Sequence, residues 1–207
     1  SSKPAEMVVD QIRKNGGDAL AVKVDCVNEG EVGLLSIHPW MARKIDVLVL
    51  NHGAYNRVAA DELTIETLRE TMAVNFEGSV AIWKAIQPHL SDKARMVVVG
   101  SQLGTRGSPH GADYSASKAA LTVWARSLAQ QVGPEGKRVN ILAPGYVDTA
   151  ILAGDSQSKR KQREDEVPLK RVGTPEDMAS TIAFLVGDDS AYVTGSIIHV
   201  NGGLYLP

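Results

Sequence analysis

Short uninterrupted apolar runs alternate along this chain with longer stretches whose apolar residues recur every three or four positions. The runs are "IDVLVL" (45–50), "RMVVVG" (95–100), "RVNILAPG" (138–145) and "SIIHVNGG" (196–203). Each has the length and composition of a strand covered on both faces. Helical spacing fills the intervals over residues 64–90, 113–132 and 175–187, with Thr174-Pro175 supplying an N-cap and first-turn pair for the last. Upstream, "KPAEMVVDQIRKNGG" reads as an amphipathic helix with Ala5, Val8, Val9 and Ile12 on one face and Asn15-Gly16-Gly17 at its end. "ALAVKVD" (19–25) reads as a further strand, and residues 29–43 as a weak helix that Pro39 should break or kink late in its course. Strands alternating with helices predict βαβ units around a doubly wound parallel sheet, an α/β architecture in a single domain over 1–207. No repeat, low-complexity tract or linker interrupts the pattern.

Composition narrows the function classes. The 207 residues, 43% hydrophobic and 22% charged, fit one soluble domain. A formal charge of −2 and a pI near 6.2 supply no basic field for nucleic acid or an anionic membrane. No stretch approaches the roughly 20 apolar residues of a membrane span, and the start "SSKPAEMVVD" lacks the basic and apolar regions of a leader, so a cytoplasmic protein is expected. The single cysteine, Cys26, cannot form an internal disulfide and is expected to be a small buried hydrophobe. No cluster of His, Cys and carboxylates has metal-ligand spacing, so no catalytic metal is expected.

The chemistry begins in "GADYSASKAALTVW" (111–124), where Tyr114 precedes Lys118 by four residues on a helical pattern. A phenol with an ordinary pKa near 10 is a poor base at neutral pH, and an ammonium on the same helix face favours the phenolate. The spacing therefore predicts that Lys118 draws Tyr114 downward, with Ala116, Ala119 and Ala120 leaving room for a ligand. Alone, the pair reads more readily as an ordinary exposed helix pair. Ser101 follows the apolar run "MVVVG", at the sheet edge where ligands bind in open parallel sheets. Asn75 lies mid-helix, as a tolerated polar residue or as a kink or water-holding group. Pro144-Gly145 forces a turn at another strand end, with Thr149 close behind.

Together, Asn75, Ser101, Tyr114 and Lys118, "LNHG" after "IDVLV", "PGYVDT", and the stretch from Val167 to Gly203 resemble the short-chain dehydrogenases/reductases of the classical type, from residue 3 onward. The resemblance implies a Rossmann-like fold and an oxidoreductase moving a hydride between a nicotinamide cofactor and a carbonyl or alcohol of a small, fairly apolar substrate. It implies Tyr114 as proton donor, Lys118 as the group that tunes the phenol and holds the nicotinamide ribose, Ser101 polarising the carbonyl, and Asn75 in a proton relay. Asp25 matches the aspartate near the adenine, Asn51 and Gly53 the turn along the adenine ribose, and Pro144, Gly145, Val147 and Thr149 the nicotinamide side. A homo-oligomer, tetramer or dimer, is implied as well, with Trp83 and Trp124 either at its interface or in the intrachain core.

The chain departs from the family in two places. Leu50-Asn51-His52-Gly53 stands where the family has Asn-Asn-Ala-Gly; His52 is read as a tolerated surface variant ahead of a ligand contact, and His110 as a loop residue. The family's first strand, glycine-rich pyrophosphate loop, first helix and second strand have no counterpart, and the chain starts where the helix after the second strand belongs. This predicts a native polypeptide with roughly 30 to 40 more residues before Ser1. "GSQLGTRG" (100–107) is glycine-rich after a strand, but its glycine spacing makes it a poor phosphate loop. "SSKPAE" resembles the segment just beyond the second strand in NADP-using members, which implies NADP(H) over NAD(H), although its stronger physical reading is an ordinary N-capped helix start. Two other outcomes stay open: a cofactor-independent lyase or cyclase built on the same pocket, and a catalytically silent scaffold. The charged run from Lys159 to Glu166, in the segment where the family keeps its substrate lid, reads as a solvated helix of self-pairing charges.

Overall fold

The structure, a computed structural model, describes residues 2–207. Four strands, β1 (Ile45–Leu50), β2 (Leu90–Val99), β3 (Arg138–Pro144) and β4 (Ile197–Val200), form one parallel sheet in the order β1-β2-β3-β4. Side chains alternate across it, as the two-residue repeat of a strand requires. Met96, Val98, Val139 and Ile141 enter one core, and Val97 and Leu142 enter the other. The first core contains residues of helices α4 (Gly78–Ile86) and α6 (Ala112–Val132): Ile86, Leu121, Ala125 and Leu128. Leu185, Met178 and Ile182 of α8 (Pro175–Val186) join the second. Cover on both faces explains why β2 and β3 read as continuous apolar runs.

Each predicted helix forms, with local causes for its ends. Helix α1 spans Ser2–Lys14. Asn28 caps α2 (Glu29–Ser36) by accepting from Glu31 N at 3.1 Å, and the chain then turns at Pro39 into a short 3-10 segment, Pro39–Ala42, as proline demands. Thr64 caps α3 (Ile65–Met72), which passes through a wide π turn, Ala73–Glu77, into α4. A single turn, α5 (Leu103–Arg106), precedes α6. Ser156 caps α7 (Gln157–Glu166), and Thr174 with Asp177 closes a reciprocal capping box on α8. Helix α7 buries no residue and pairs its own charges, Arg160 with Glu164 and Lys161 with Asp165, as its sequence predicts.

One element differs from expectation. Residues 19–25, read as a strand, are irregular, and Leu20 and Val22 remain 45% and 48% exposed. A strand requires a hydrogen-bonding neighbour, and among the described residues β1 pairs only with β2. Val47 and Val49 of β1 consequently stay 41% and 38% exposed.

Candidate active site

The segments that follow β1 and β2 and the first half of α6 converge on Tyr114. Past β2, Gly100 N donates to Leu142 O at 2.8 Å and Gln102 N to Pro144 O at 3.1 Å, extending the contact with β3 and holding Ser101 at the sheet edge. Ser101 is buried, and its Oγ accepts from Leu103 N at 3.1 Å. Gly104 explains how α5 lies so close to α6: a Cβ there would stand 2.9 Å from the Lys118 carbonyl carbon. The glycines of "GSQLGTRG" thus serve close packing, Gly100 likewise against Ile141.

Tyr114 and Lys118 stand one turn apart on α6. Lys118 is 3% exposed; its Nζ donates to Val99 O at 2.8 Å and lies 5.8 Å from the centroid of the Tyr114 ring. Burial lowers the Lys118 pKa to about 8, because the charged form loses its water. Tyr114 does not follow the sequence expectation. Burial raises its pKa, and a hydrogen bond with the Ser101 side chain offsets this only in part. Spacing placed the ammonium near the ring but said nothing of how much water the phenolate would lose.

Asn75 is fully buried in the π turn. Its Oδ1 accepts from Ala54 N at 2.7 Å, while Nδ2 donates to Ala54 O at 2.9 Å and to Ser117 Oγ at 2.9 Å. Both amide hydrogens are used, so the side chain ties the loop after β1 to α6. Gly53 lies close beside it, since a Cβ would stand 3.2 Å from both Asn75 Oδ1 and Lys118 Nζ. Asn51, at the end of β1, is exposed. His52 is half-buried rather than a free surface variant: Nε2 lies 3.3 Å from Ser79 Oγ of α4, and burial together with the Lys118 charge lowers its pKa.

Pro144 ends β3, and Gly145 follows with its N–H donating to Val200 O at 3.1 Å; a Cβ there would meet Asn201 Cβ at 2.7 Å. Val147 bridges Gly173, and Thr149 is exposed with Oγ1 donating to Val147 O at 3.4 Å. Asp25 is exposed and makes local hydrogen bonds: Oδ1 accepts from Val27 N and its own N–H donates to Glu31 Oε2. Asn75, Ser101, Tyr114, Lys118 and Gly53 therefore form one cluster, with Asn51 and residues 144–149 on neighbouring strand ends and Asp25 outside it. Trp83 and Trp124 meet edge to face with centroids 6.0 Å apart and pack on the first core, the intrachain alternative. Cys26 is half-buried against Gly78, where a Cβ would stand 2.9 Å from its Sγ.

Sequence reading missed Tyr55. Its ring lies 4.7 Å from that of Tyr114, centroid to centroid, and its hydroxyl donates to His110 O at 2.8 Å. The only signal was an aromatic residue two positions past Gly53. Arg57 and Asp155 were missed too: Arg57, at φ +38°, donates to Ile151 O and approaches Asp155, which pairs with Arg163.

The cluster fits the nicotinamide half of a dinucleotide. One of the three N–H donors of Lys118 reaches Val99 O, leaving two for ligand hydroxyls, and the C-terminal strand edge is where such ligands bind in this architecture. No glycine-rich turn suited to a pyrophosphate lies among the described residues, and the 2′-phosphate reading of "SSKPAE" falls partly on Ser1 and on the Ser2 side chain, outside them. A cavity of about 260 Å³ is lined by Tyr146, Leu169, Arg171, Met178, Val200 and Asn201 among others. It includes neither the phenol nor the buried amine. No described helix is long and apolar enough to cross a membrane.

A family model described as enoyl-(acyl carrier protein) reductase matches residues 2–205. The chain is 36% identical over 223 residues to a cyclohexanol dehydrogenase of Rhodococcus sp. strain TK6, covering 99% of this chain and 79% of that protein. It is 33% identical over 165 residues to the 3-oxoacyl-acyl-carrier-protein reductase of Escherichia coli K12, covering 79% and 68%. A dehydrogenase/reductase crystal structure from Sinorhizobium meliloti 1021 superposes with a TM-score of 0.92 at 31% identity, covering all of this chain and 82% of the other.

Proposed function

This chain belongs to the short-chain dehydrogenase/reductase family, and from that premise we propose that it transfers a hydride between NADP(H) and the carbonyl or alcohol carbon of a small, fairly apolar substrate, with Tyr114 as acid and base. The observation that carries this reading is a buried lysine one helical turn from a largely buried phenol, its Nζ 5.8 Å from the ring centroid, with Ser101 at the same sheet edge. When bound, the nicotinamide supplies or accepts the hydride. The protein's own residues handle the proton and the oxygen. In reduction, Ser101 donates a hydrogen bond to the substrate oxygen as negative charge develops there, and Tyr114 delivers the proton. Burial keeps that proton on the phenol at neutral pH, which suits the reductive direction. Oxidation requires the phenolate, so its rate should climb with pH toward the raised phenol pKa while reduction stays level until that range. Lys118 holds the ribose through its two spare donors, and Asn75 fixes the loop that carries Gly53.

The substrate class draws support from the cyclohexanol dehydrogenase relative and from Ile151 and Leu152 in the segment leading to α7. A cytoplasmic homo-oligomer belongs to the same reading. Tyr114→Phe should lower cyclohexanol oxidation with NADP+ by about 10²- to 10⁴-fold while leaving NADPH binding, followed by fluorescence, intact; turnover at the wild-type rate would refute the assignment. A second reading keeps the same cluster for a cofactor-independent acid–base lyase or cyclase, or leaves it as a silent scaffold. Failure of NADPH to bind would select that reading, and product formation without cofactor would then separate lyase from scaffold.

A further inference from the structure

Tyr55 is held at both ends in a way the proposed chemistry does not yet use. Its neighbour Ala54 is bound through both main-chain groups by Asn75, which fixes the backbone from which the ring projects. Its hydroxyl donates to His110 O, just before the start of α6, at 2.8 Å. Between these anchors the ring leans on Tyr114, with planes inclined by 44° and centroids 4.7 Å apart, a favourable offset for an aromatic pair. Gly111 shows how tight the fit is: a Cβ there would stand 2.5 Å from Tyr55 Cε2 and 3.1 Å from its hydroxyl oxygen. The loop after β1 and the entry to α6 are therefore closed onto one another through this ring, 55 residues apart in sequence.

We propose that Tyr55 is a positioning residue for Tyr114, an inference that rests on the acid–base role assigned to Tyr114 above. Its ring covers one side of the phenol and keeps water from it, and its hydroxyl fixes the N-terminal turn of the helix that aims the phenol. The ionisable groups facing Tyr114 are Lys118 from its own helix and Tyr55 from the loop after β1, with His52 beside Lys118 from the end of the same strand. Removing the ring leaves the lysine in place and admits water, which stabilises the phenolate.

The test follows Tyr114 directly in protein labelled with carbon-13 at the tyrosine ζ carbon, the resonance being assigned by its loss in Tyr114→Phe. In Tyr55→Leu the Tyr114 titration should move down by about one pH unit, and the rising limb of cyclohexanol oxidation should move with it. Tyr55→Phe keeps the ring, so the titration should stay in place while kcat falls about 10-fold at unchanged KM, because only the helix tether is lost. Identical Tyr114 titrations in wild type and Tyr55→Leu would overturn the proposal, as would wild-type kcat in Tyr55→Phe. The Phe variant decides the matter if the Leu variant does not fold. The titration needs no turnover, so an active Tyr114→Phe enzyme would sink the acid–base assignment and leave this measurement to judge Tyr55 separately.

Discussion

Lys118 is a cation with 3% of its surface exposed, held by one main-chain carbonyl, and its pKa falls from an ordinary 10.5 to about 8. Between those values the unfolded chain binds a proton that the folded chain does not, so stability should rise as pH increases through this window, by about 3 kcal/mol in all. Tyr114 works in the opposite sense. Its pKa is raised by burial, so above about 10 the unfolded phenol ionises first and stability falls. The net gain should thus be confined to about pH 8–10. Urea midpoints across that range should climb in the wild type and stay flat in Lys118→Met; parallel curves would show that Lys118 is not the titrating group. The spacing of Tyr114 and Lys118 was legible in sequence, because four residues on a helix share a face. The direction of each shift was not, because desolvation depends on everything packed around the pair.

At the scale of elements, two glycines predict opposite outcomes from one substitution. Gly33 lies exposed inside α2 with nothing near a built Cβ, so Gly33→Ala should stabilise by about 0.5–1 kcal/mol through a less flexible unfolded chain and better helix propensity. Gly104 joins α5 to α6, with a Cβ falling 2.9 Å from one α6 main-chain atom and 3.0 Å from two others. Gly104→Ala should destabilise by about 1–3 kcal/mol, since helix backbone cannot give way as a side-chain tip can. It should also slow turnover, because Lys118 and Ser101 flank the contact. Chemical denaturation of both variants checks the signs; a neutral Gly104→Ala would mean that α5 shifts freely. The structure adds Asn28, Thr64 and Ser156 as caps of α2, α3 and α7, while the start of α8 was readable from Thr174-Pro175. The π turn at Ala73–Glu77 was not, because Asn75 widens it to reach Ala54 and Ser117 across the fold.

Helices cover both faces of the sheet over β2 and β3, while β1 keeps Val47 and Val49 partly exposed at an edge that no other described strand pairs with. Such an edge recruits strands from other chains, and a charge on it discourages them. Val49→Lys in this 207-residue polypeptide should lower concentration-dependent light scattering with little change in unfolding midpoint; scattering that matched the wild type would place self-association elsewhere.

Four parallel strands, the helices between them, and a phenol and an amine on one helix face were determined by the sequence itself, since apolar periodicity, caps and i+4 spacing are properties of neighbouring residues. Only the tertiary structure decided that residues 19–25 stay irregular, that His52 rests on Ser79, that Tyr55 closes on Tyr114, and that burial raises the phenol while it lowers the lysine. Ladder partners, ring contacts and lost water all come from residues far away in the chain, so a local pattern specifies which groups are available but not what surrounds them.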